Sequence, residues 1–531
     1  MKLQGRKIYP GLAEGEALVS SQAISFFGGV DPDSGLVAER GHPLEGQSIA
    51  GKILVFPTGK GSTVGSYTLY RLKHNGLAPL AILNAECETI TAVGCIIAEI
   101  PCLDQLDIRR LQTGQRLQVD GERCTVTILR PPGIPPPLCG SETGSFAEDT
   151  LSRRLPAIVR GLLDDGWEPS TRAALQALAD EMPQAPLRPL LDDGGPDLDL
   201  WRRYLPPYLG QTWLEAPWFA AEVYFFRRIL EASGYFQSGA GRGRDPYRPQ
   251  KEQGRQGLVE QLAPLCASLE APPQPAGAEG ALDKLTRLLH AVVWGNQADL
   301  SVWPVGGAQP DQHAGDQRSA HLLVDHTPQL VAFFRERSGG LERVDFILDN
   351  VGLELAYDLV LADFLLASGL SRKVIFQAKP FPTYVSDATI PDIQELVEYL
   401  AQAGDPAVSR LGHRLDAHIS EDRLLLKEGY FWITPLAGWE MPEETYQELA
   451  EADLLVSKGD ANYRRWLGDR HWPFTTPIQE ILAYRPAPLL LLRVMKSEII
   501  AGLQPGQPEA LSAQDPDWLF NGRWGVIQFI P

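Results

Sequence analysis

The last third of the chain alternates short apolar runs with segments whose apolar residues recur at helical spacing. The runs short enough for strands are Val344–Leu348, Lys373–Ala378, Gly429–Thr434, Asp453–Ser457 and Pro488–Val494. After the first run, apolar side chains recur every three or four residues, which predicts a helix with one buried face. Strands that alternate with helices predict a mainly parallel sheet covered by helices on both faces.

The first 140 residues have a different pattern. The runs Gly51–Phe56, Pro79–Asn84 and Gly94–Ile100 are short, apolar and β-prone, and Gly, Pro and Asn separate them. This pattern predicts a compact domain of short strands with few helices. The proline-dense stretch Pro131–Pro137 comes after the domain and has the composition of a linker.

A helix-rich region separates the linker from the predicted sheet. Its segment Trp213–Leu230 has aromatic residues at helical spacing, which favours core packing over a ligand platform. We therefore predict an α/β protein with an N-terminal domain over residues 1–139 and a linker and helical subdomain over 140–335. Residues 336–531 are predicted to form a three-layer α/β/α, Rossmann-like core.

The net charge of the chain limits the classes of binding partner that we expect. The chain has 48 Lys and Arg against 67 Asp and Glu, which gives a formal net charge of −19. Nucleic acids and anionic membranes bind clustered Lys and Arg, so we expect neither as a partner. A phosphorylated substrate must then meet a local positive site, made by a metal ion or a few focused side chains.

The compartment follows from what the sequence lacks. No apolar run approaches the roughly 20 residues that span a bilayer, and Met1–Leu12 contains no apolar signal segment. The six cysteines include no C-x-x-C pair, which is typical of reduced and mostly buried thiols. We expect a cytoplasmic protein.

Polar residues collect after four of the predicted strands. They are Asp349, Asn350, Asp387, Lys458, Asp460, Asn462, Arg464 and Lys496. Open α/β sheets bind ligands at the carboxyl ends of their strands, because loops and helix N-termini meet there. We therefore expect these side chains to converge on one site.

Asp349, Asn350 and Asp387 supply hard oxygen atoms, which suit Mg²⁺ or Mn²⁺. A metal there would polarise a phosphoryl group and lower the pKa of a bound water. Asp349 would act as a base toward that water or attack phosphorus itself, and the sequence leaves both alternatives open. An Asp after a strand also serves as a turn or cap residue, so the prediction depends on the convergence.

Three cations have the charge to hold the remaining phosphate oxygens. Arg464 offers a bidentate fork, and Lys458 and Lys496 act as point charges. Taken one at a time, such side chains are usually solvated, so this prediction also depends on their meeting at one edge of the sheet.

At these positions the chain resembles the damage-control phosphatases, in the sugar-phosphate branch whose human member is also called acidic residue methyltransferase. The resemblance covers about residues 145–531 and lies in the stretches Ala216–Arg228, Trp294–Ser301, Val344–Leu366, Tyr384–Pro391, Ser457–Arg464 and Pro486–Gln504. It implies hydrolysis of small hexose phosphates such as fructose 1-phosphate and fructose 6-phosphate, with Mn²⁺, Co²⁺ or Ni²⁺ as the favoured metal.

The resemblance also implies roles for single residues. The metal positions match Asp349, Asn350 and Asp387. The substrate contacts match the run Asp460–Arg464 and Lys496, and Glu222 and Asn296 lie in family-like motifs with a supporting role. The branch usually reads Arg-Thr-x-Lys near its end, whereas this chain has Val494 in place of the threonine. The lost hydroxyl bears on substrate preference more than on phosphatase chemistry.

About residues 5–127 resemble a second family, the small swivelling subunit of aconitase X dehydratases, which implies a swivelling β/α domain. The stretches that carry this are Ile24–Asp33, Gly51–Gly65, Leu77–Glu86 and Gly94–Pro101. In that family the serine matching Ser62 is the catalytic base. The iron–sulfur ligands belong to a large subunit that has no counterpart in this sequence, so Ser62 is expected to act only with that subunit as a partner.

Three hypotheses follow. The first is a metal-dependent sugar phosphatase with an appended swivel domain, and the second is a partner subunit of an aconitase X-type dehydratase through residues 1–139. The third, a carboxyl methyltransferase, rests only on the branch's other name. No glycine-rich loop follows the first predicted strand of the sheet, where a methyl-donor cofactor would usually sit.

Overall fold

The computed structural model describes residues 2–164, 166–270, 278–298, 321–337 and 339–531. The chain divides into two compact units, one made of Met1–Ile134 with Ile478–Pro486 and the other of Pro135–Pro477 with Ala487–Pro531. Each unit has its own apolar core.

The first unit is built on a mixed sheet. Its described strands are β1 (Lys2–Gln4), β2 (Arg6–Tyr9), β3 (Leu12–Val19), β4 (Ile24–Ser25), β5 (Ile53–Phe56), β6 (Gly59–Lys60), β7 (Ala81–Asn84), β8 (Cys102–Asp104), β9 (Arg116–Asp120) and β10 (Thr125–Arg130). Eight of these described strands pair in the order β1-β10-β9-β3-β5-β7-β8-β2, and β4 pairs with β6. The strands β3, β5, β7 and β8 are mutually parallel, and the flanking strands β9 and β2 are antiparallel to them.

The described α-helices of this unit are Gly65–His74, Thr89–Ile97 and Ile478–Ile481. The predicted β-prone run Gly94–Ile100 is wrong, because its first half continues the second helix. That helix starts at a cap in which the Glu88 carboxylate accepts a hydrogen bond from the Thr91 backbone N–H at 2.8 Å. Gly94 lies where a Cβ would collide with Leu69 of the first helix, so the glycine serves a close contact between helices.

The second unit contains the predicted parallel sheet. Its described strands are β11 (Leu322–Asp325), β12 (Leu341–Ile347), β13 (Ser371–Ala378), β14 (Leu424–Glu428), β15 (Leu454–Lys458), β16 (Leu489–Val494) and β17 (Gly525–Ile530). They pair in the order β11-β17-β16-β15-β12-β13-β14. The strands β12 to β16 are mutually parallel, and β17 is antiparallel to β16.

One predicted strand of this sheet is wrong. Gly429–Thr434 forms a 3-10 helix over Tyr430–Ile433, and the strand is the run Leu424–Glu428 just before it. The apolar side chains of that turn are buried by packing and not by strand pairing, and a Cβ at Gly429 would collide with the Trp432 ring. A buried turn and a buried strand both require apolar side chains, so each gives the same apolar run in the sequence.

The strand order places a switch point beside β12. The chain runs from β12 through β13 to β14 on one side, and then crosses to β15 and β16 on the other. The connections from β12 and from β15 therefore lead away in opposite directions and leave a crevice at the carboxyl ends of these two strands.

Helices cover both faces of the sheet. Phe346 of β12 packs with Leu355 and Leu359 of the following helix in one apolar core. On the opposite face, Ser457 of β15 accepts a hydrogen bond from Trp466 Nε1 at 3.0 Å. The predicted α/β class is confirmed, with three layers in this unit.

The second unit is rich in helices. Its described α-helices are Phe146–Asp149, Leu155–Leu162, Pro169–Glu181, Leu198–Tyr204, Trp218–Ser233, Arg248–Gln253, Leu258–Glu270, Ala278–Val292, Thr327–Arg335, Leu353–Ala367, Ile390–Ala401, Pro406–Ser420, Glu443–Leu449, Asp460–Leu467 and Gln507–Gln514. Leu262 and Leu288 belong to the same core as Phe346, and the helices that carry them pack against the helix Leu353–Ala367. Among the described residues, no helix is long and apolar enough to cross a bilayer.

A buried ion-pair cluster holds the helix Trp218–Ser233. The Arg227 side chain is 2% exposed, and it donates to Asp197 Oδ2 at 2.7 Å and to both Asp193 oxygens at 2.8 and 2.9 Å. Removing the cation would leave two buried carboxylates without their partner, and breaking a buried pair in this way costs about 3–5 kcal/mol.

We expect Arg227→Met to lower the free energy of unfolding by about 3–5 kcal/mol in urea denaturation followed by circular dichroism. The matched control is Arg202→Met, because Arg202 pairs with Asp199 but is 60% exposed. Exposed pairs contribute about 1 kcal/mol or less, so the control should change the unfolding midpoint little. Equal shifts for the two variants would contradict the role of burial.

Candidate active site

The site begins where β12 ends. Asp349 and Asn350 follow the strand by two and three residues, and they are 4% and 5% exposed. They lie at the switch point, so the crevice between the β12 and β15 connections opens onto them. Gly352, at φ 75°, then turns the chain into the helix Leu353–Ala367.

The loop after β13 joins this turn by backbone hydrogen bonds. Ala388 N–H donates to the Asp349 carbonyl at 2.8 Å, and Val351 N–H donates to the Ser386 carbonyl at 2.7 Å. Asn350 and Asp387 are thereby paired as an antiparallel bridge. The three predicted metal ligands are brought together, although they come from different strands.

Asp387 is 1% exposed, and Lys379 Nζ lies 3.0 Å from its Oδ2. Asn350 Nδ2 donates to Asp349 Oδ2 at 2.8 Å, and Ser386 Oγ donates to Asn350 Oδ1 at 2.6 Å. These contacts fix the orientation of the amide between the two carboxylates.

Gly459 leaves room for one of these carboxylates. Its φ of 79° and ψ of 176° lie in a region that is essentially restricted to glycine. A Cβ at this position would collide with the Asp349 carboxyl group. The backbone after β15 therefore approaches Asp349 directly.

Lys458 lies behind the site and not at its opening. The Lys458 ammonium is buried, 3.1 Å from Glu354 Oε1 and 2.8 Å from Asp358 Oδ1. Burial acts to lower the pKa of Lys458, but Asp358 and Glu354 outweigh it and the pKa is raised. Burial raises the pKa of Asp358 to about 7, although Lys458 opposes this. The structure thus differs from the predicted phosphate contact of Lys458.

The Glu354 carboxylate connects this buried cation to the candidate ligands. Its Oε2 accepts a hydrogen bond from Asn350 Nδ2 at 3.0 Å. Lys458 therefore acts on the site through Glu354 and Asn350.

Asn462 also has a different place from the predicted substrate contact. Its Nδ2 donates to the carbonyls of Leu348 and Lys458, at 3.0 and 2.9 Å. These carbonyls lie at the ends of β12 and β15, so Asn462 fastens the two strand ends together.

Arg464 lies on the wall of the crevice and pairs with two carboxylates. Nη1 donates to Glu222 Oε2 at 2.6 Å, and Nε donates to Asp469 Oδ1 at 2.8 Å. Its guanidinium lies 3.6 Å from the centre of the Trp218 ring. Burial acts to lower the pKa of Arg464, but Asp469 and Glu222 raise it well above its ordinary value. Burial raises the pKa of Glu222 even though Arg464 opposes this.

Asp460 organises the opposite side. Its Oδ1 accepts hydrogen bonds from Arg493 Nε at 2.7 Å, from Ser497 Oγ at 3.1 Å and from the Lys496 backbone N–H at 3.3 Å. Asp460 therefore fixes the turn that carries Lys496. Val494, which stands where the branch has threonine, is fully buried in the apolar core and not in the crevice.

The crevice has about 430 Å³ of space free of atoms, part of it open to solvent. Its described lining is Phe146, Arg154, Trp218, Glu222, Asp349, Asn350, Tyr384, Asp387, Asp460, Ala461, Arg464 and Lys496. Six of the predicted site residues and the supporting Glu222 are in this set, whereas Lys458 and Asn462 are not.

Sequence reasoning missed four side chains of this wall, namely Phe146, Arg154, Trp218 and Tyr384. Arg154 ends a π-helix, Thr150–Arg154, and its guanidinium lies 4.8 Å from the Phe146 ring centre. A π-helix has no simple pattern in the sequence. Tyr384 could have been singled out, because it opens the motif that ends with Asp387 and Pro391.

Two further predicted residues are not part of the described lining. Asn296 is in the 3-10 helix Val293–Ala298, and its side chain lies outside the described residues, so its role stays a prediction. Ser62 belongs to the first unit, where it is exposed in the turn before the helix Gly65–His74. Its Oγ accepts a long contact from the Val64 backbone N–H at 3.4 Å.

The donor set fits a divalent metal of the hard class. Within the described residues, no group of three or more His, Cys, Asp and Glu side chains is arranged to bind a metal. The predicted set consists instead of two carboxylates and an amide, whose oxygens suit Mg²⁺ or Mn²⁺. All three residues line one crevice together, and this placement fits such a set.

Two family models match the chain. Residues 150–511 match the damage-control phosphatase ARMT1-like domain. Residues 2–128 match the aconitase X swivel domain. The two matches do not overlap.

Relatives that carry the damage-control phosphatase domain are similar to this chain over most of their length. The damage-control phosphatase ARMT1 of Rattus norvegicus is 33% identical over 433 residues, which is 74% of this chain and 98% of that protein. The human protein of the same name is 32% identical over 439 residues, covering 75% and 98%.

Solved structures are similar to each part of the chain. A chain of Thermococcus kodakaraensis aconitase X in its holo form is 55% identical, with a TM-score of 0.24, over 24% of this chain and 98% of that one. A DUF89 family protein of Pyrococcus horikoshii is 15% identical, with a TM-score of 0.36, over 70% and 95%. By its family model and its relatives, the chain belongs to the damage-control phosphatase ARMT1-like family and carries an aconitase X swivel domain before the phosphatase domain.

Proposed function

We propose that the second unit hydrolyses small sugar phosphates, such as fructose 1-phosphate or fructose 6-phosphate, with a divalent metal as cofactor. One observation carries the proposal: two buried carboxylates and an amide from different strand ends meet in a crevice that Arg464 and Lys496 also line. Acidic ligands for a metal beside cations for a phosphate are the pairing that phosphoryl transfer needs.

Asp349, Asn350 and Asp387 would hold the metal, with Mn²⁺, Co²⁺, Ni²⁺ and Mg²⁺ as candidates. When bound, such an ion supplies positive charge to the phosphoryl oxygens and lowers the pKa of a coordinated water. Asn350 orients the set, because its amide is fixed by Ser386 and Glu354.

The cations of the wall bind the phosphate. Contacts to Glu222 and Asp469 involve three of the five N–H groups of Arg464 and fix the plane of its fork. Lys496 adds a point charge, and Asp460 positions its backbone. Electrostatic stabilisation of the transferred group comes from these two fixed cations.

Asp349 performs the proton transfer or the attack. Either it accepts a proton from the attacking water, or its carboxylate displaces the alcohol and forms an acyl phosphate that water then hydrolyses. In both cases the leaving alcohol oxygen gains a proton and inorganic phosphate is released. Acid quenching of a single turnover with ³²P-labelled substrate separates the two, since only the second route binds the label covalently to the protein.

We expect chelation to abolish phosphate release and Mn²⁺ or Co²⁺ to restore it. Asp349→Asn should lower kcat/KM for fructose 1-phosphate by at least about 10²-fold, because it removes a charge from the metal site and the proton acceptor. The matched control is Asp453→Asn. Asp453 accepts hydrogen bonds from the backbone N–H groups of Glu342 and Arg343, at the amino end of β12. Activity that survives chelation or Asp349→Asn would contradict the proposal.

The contact between Gly459 and Asp349 gives a second test. Gly459→Ala should displace the Asp349 carboxyl group, and we expect both Mn²⁺ affinity and turnover to be lost. Gly506→Ala is the control, since Gly506 has a φ of 83° but no atom within 4 Å of an added Cβ. That variant should lose only stability, by about 1–2 kcal/mol. Unchanged Mn²⁺ binding in folded Gly459→Ala would exclude Asp349 as a ligand.

A second candidate function belongs to the first unit. Val64, Tyr67 and Tyr70 recur at helical spacing and are 44%, 68% and 51% exposed. Exposed apolar residues in such a row mark an interaction surface. The row begins two residues after Ser62, which supports docking of an aconitase X-type large subunit at this face.

We expect the chain to bind such a subunit in an anaerobic pull-down and Tyr67→Glu to weaken that binding. Leu12→Glu is the control, because Leu12 is 75% exposed on a strand of the same unit. Ser62→Ala should abolish any dehydratase activity of the complex while leaving phosphate release intact. Loss of binding in both surface variants, or in neither, would contradict docking at this face.

A further inference from the structure

Two hydrogen-bond donors on the wall of the crevice have no use in the mechanism above. The Tyr384 hydroxyl and the Trp218 indole N–H both belong to residues that line the crevice. They are buried, with residue exposures of 7% and 1%. Neither atom has a hydrogen-bond partner among the described residues. A buried donor without a partner is uncommon and unfavourable, so each of these groups calls for an acceptor.

The backbone holds Tyr384 in a restricted conformation. Tyr384 and Val385 have φ values of 47° and 65°, which residues with a side chain rarely adopt. Its ring lies against Phe226, with centroids 4.8 Å apart. The side chain is therefore fixed by packing in the same loop that supplies Asp387.

The hydroxyl remains a donor at working pH. Burial raises the pKa of Tyr384 well above its ordinary value, and Glu222 nearby adds to the rise. A phenol that stays protonated can donate to a ligand oxygen but brings no negative charge to the phosphate.

Contacts on several sides also hold the Trp218 side chain in place. It begins the helix Trp218–Ser233, and Asp469 Oδ2 accepts a hydrogen bond from the next backbone N–H, that of Phe219, at 3.0 Å. The Arg464 guanidinium covers one face of its ring, and Phe146 meets the ring edge-on at 6.0 Å. The indole N–H is therefore held beside the cation that we assign to the phosphate.

We propose that Tyr384 and Trp218 determine specificity by donating hydrogen bonds to oxygens of the organic part of the substrate. The site then selects phosphate esters of polyhydroxylated compounds over aryl phosphates. This inference rests on the function proposed above. The charged donors Arg464 and Lys496 are the stronger hydrogen-bond partners for phosphate oxygens. The two neutral donors match neutral hydroxyl or carbonyl oxygens, and a site built to bond an oxygen discriminates against a ligand that lacks it.

The structure offers a close control. Tyr247 also has a buried hydroxyl without a partner among the described residues, and its ring contacts the same Phe226 edge-on at 6.3 Å. Tyr247 does not line the crevice as far as the structure describes it. The Tyr384→Phe and Tyr247→Phe variants therefore remove the same group from similar surroundings, and only one of them alters the crevice.

The experiment measures kcat/KM of the metal-loaded full chain for fructose 1-phosphate and for p-nitrophenyl phosphate. We expect Tyr384→Phe and Trp218→Phe each to lower the ratio of the two values by about tenfold or more. Tyr247→Phe should leave the ratio unchanged. Equal losses for both substrates would mean that the donors bind the phosphate itself or support the fold, and would overturn the inference. A ratio that stays constant in all variants would also overturn it.

Calorimetry with fructose 1-phosphate and with inorganic phosphate provides a readout apart from turnover. Tyr384→Phe should weaken binding of the sugar phosphate by about tenfold and leave that of inorganic phosphate within about twofold. Its melting temperature should be unchanged or raised, since an unpaired buried hydroxyl has been removed. If the wild-type protein hydrolyses neither ester, the proposed function fails, but this binding comparison still decides the inference. Equal weakening of both ligands, or of neither, overturns it.

Discussion

The backbone pairing between Asn350 and Asp387 is the constraint on which the candidate active site depends. It joins a turn after β12 to a loop after β13 through hydrogen bonds of 2.7 and 2.8 Å at Val351 and Ala388. Two acidic side chains from separate loops would repel each other if only their own charges acted. These backbone hydrogen bonds hold the two loops together, and the Lys379 ammonium lies beside the Asp387 carboxylate. Tyr384 and Val385 have consecutive positive φ values. This strained backbone is tolerated because the same hydrogen bonds hold the part of the loop that follows it.

A second layer of charge stabilises this arrangement from behind. Lys458 bridges Glu354 and Asp358, and Glu354 in turn accepts from the Asn350 amide. These groups lie on the last residue of β15 and on the helix after β12, the two elements that flank the crevice. A buried cation between two carboxylates is stable only in good geometry, so this contact also sets the spacing of strand and helix.

The convergence of Asp349, Asn350 and Asp387 was predictable, because residues that follow parallel strands must meet at one edge of the sheet. The burial of Lys458 behind the site was not predicted, although the sequence contains a sign of it. Glu354 and Asp358 are four residues apart on a mainly apolar helix, and such buried acids require a cation. The parts of the wall formed by Phe146, Arg154 and Trp218 could not be predicted, since no local pattern shows that segments far apart in the chain are in contact. The strand assigned to Gly429–Thr434 failed for another reason, because apolar runs do not distinguish strands from buried turns.

The position of Val494 has a consequence for how preference for a substrate can change in this fold. Its side chain is in the apolar core, so exchange with threonine there acts on packing and has no direct path to the bound ligand. The two donors that would touch the organic part of a ligand come instead from different places in the chain. Trp218 lies in a stretch separate from the strand ends that carry the acids, whereas Tyr384 shares its loop with Asp387. Evolutionary drift around Trp218 can therefore retune which metabolite is accepted without disturbing the acids, whereas drift around Tyr384 acts on Asp387 as well.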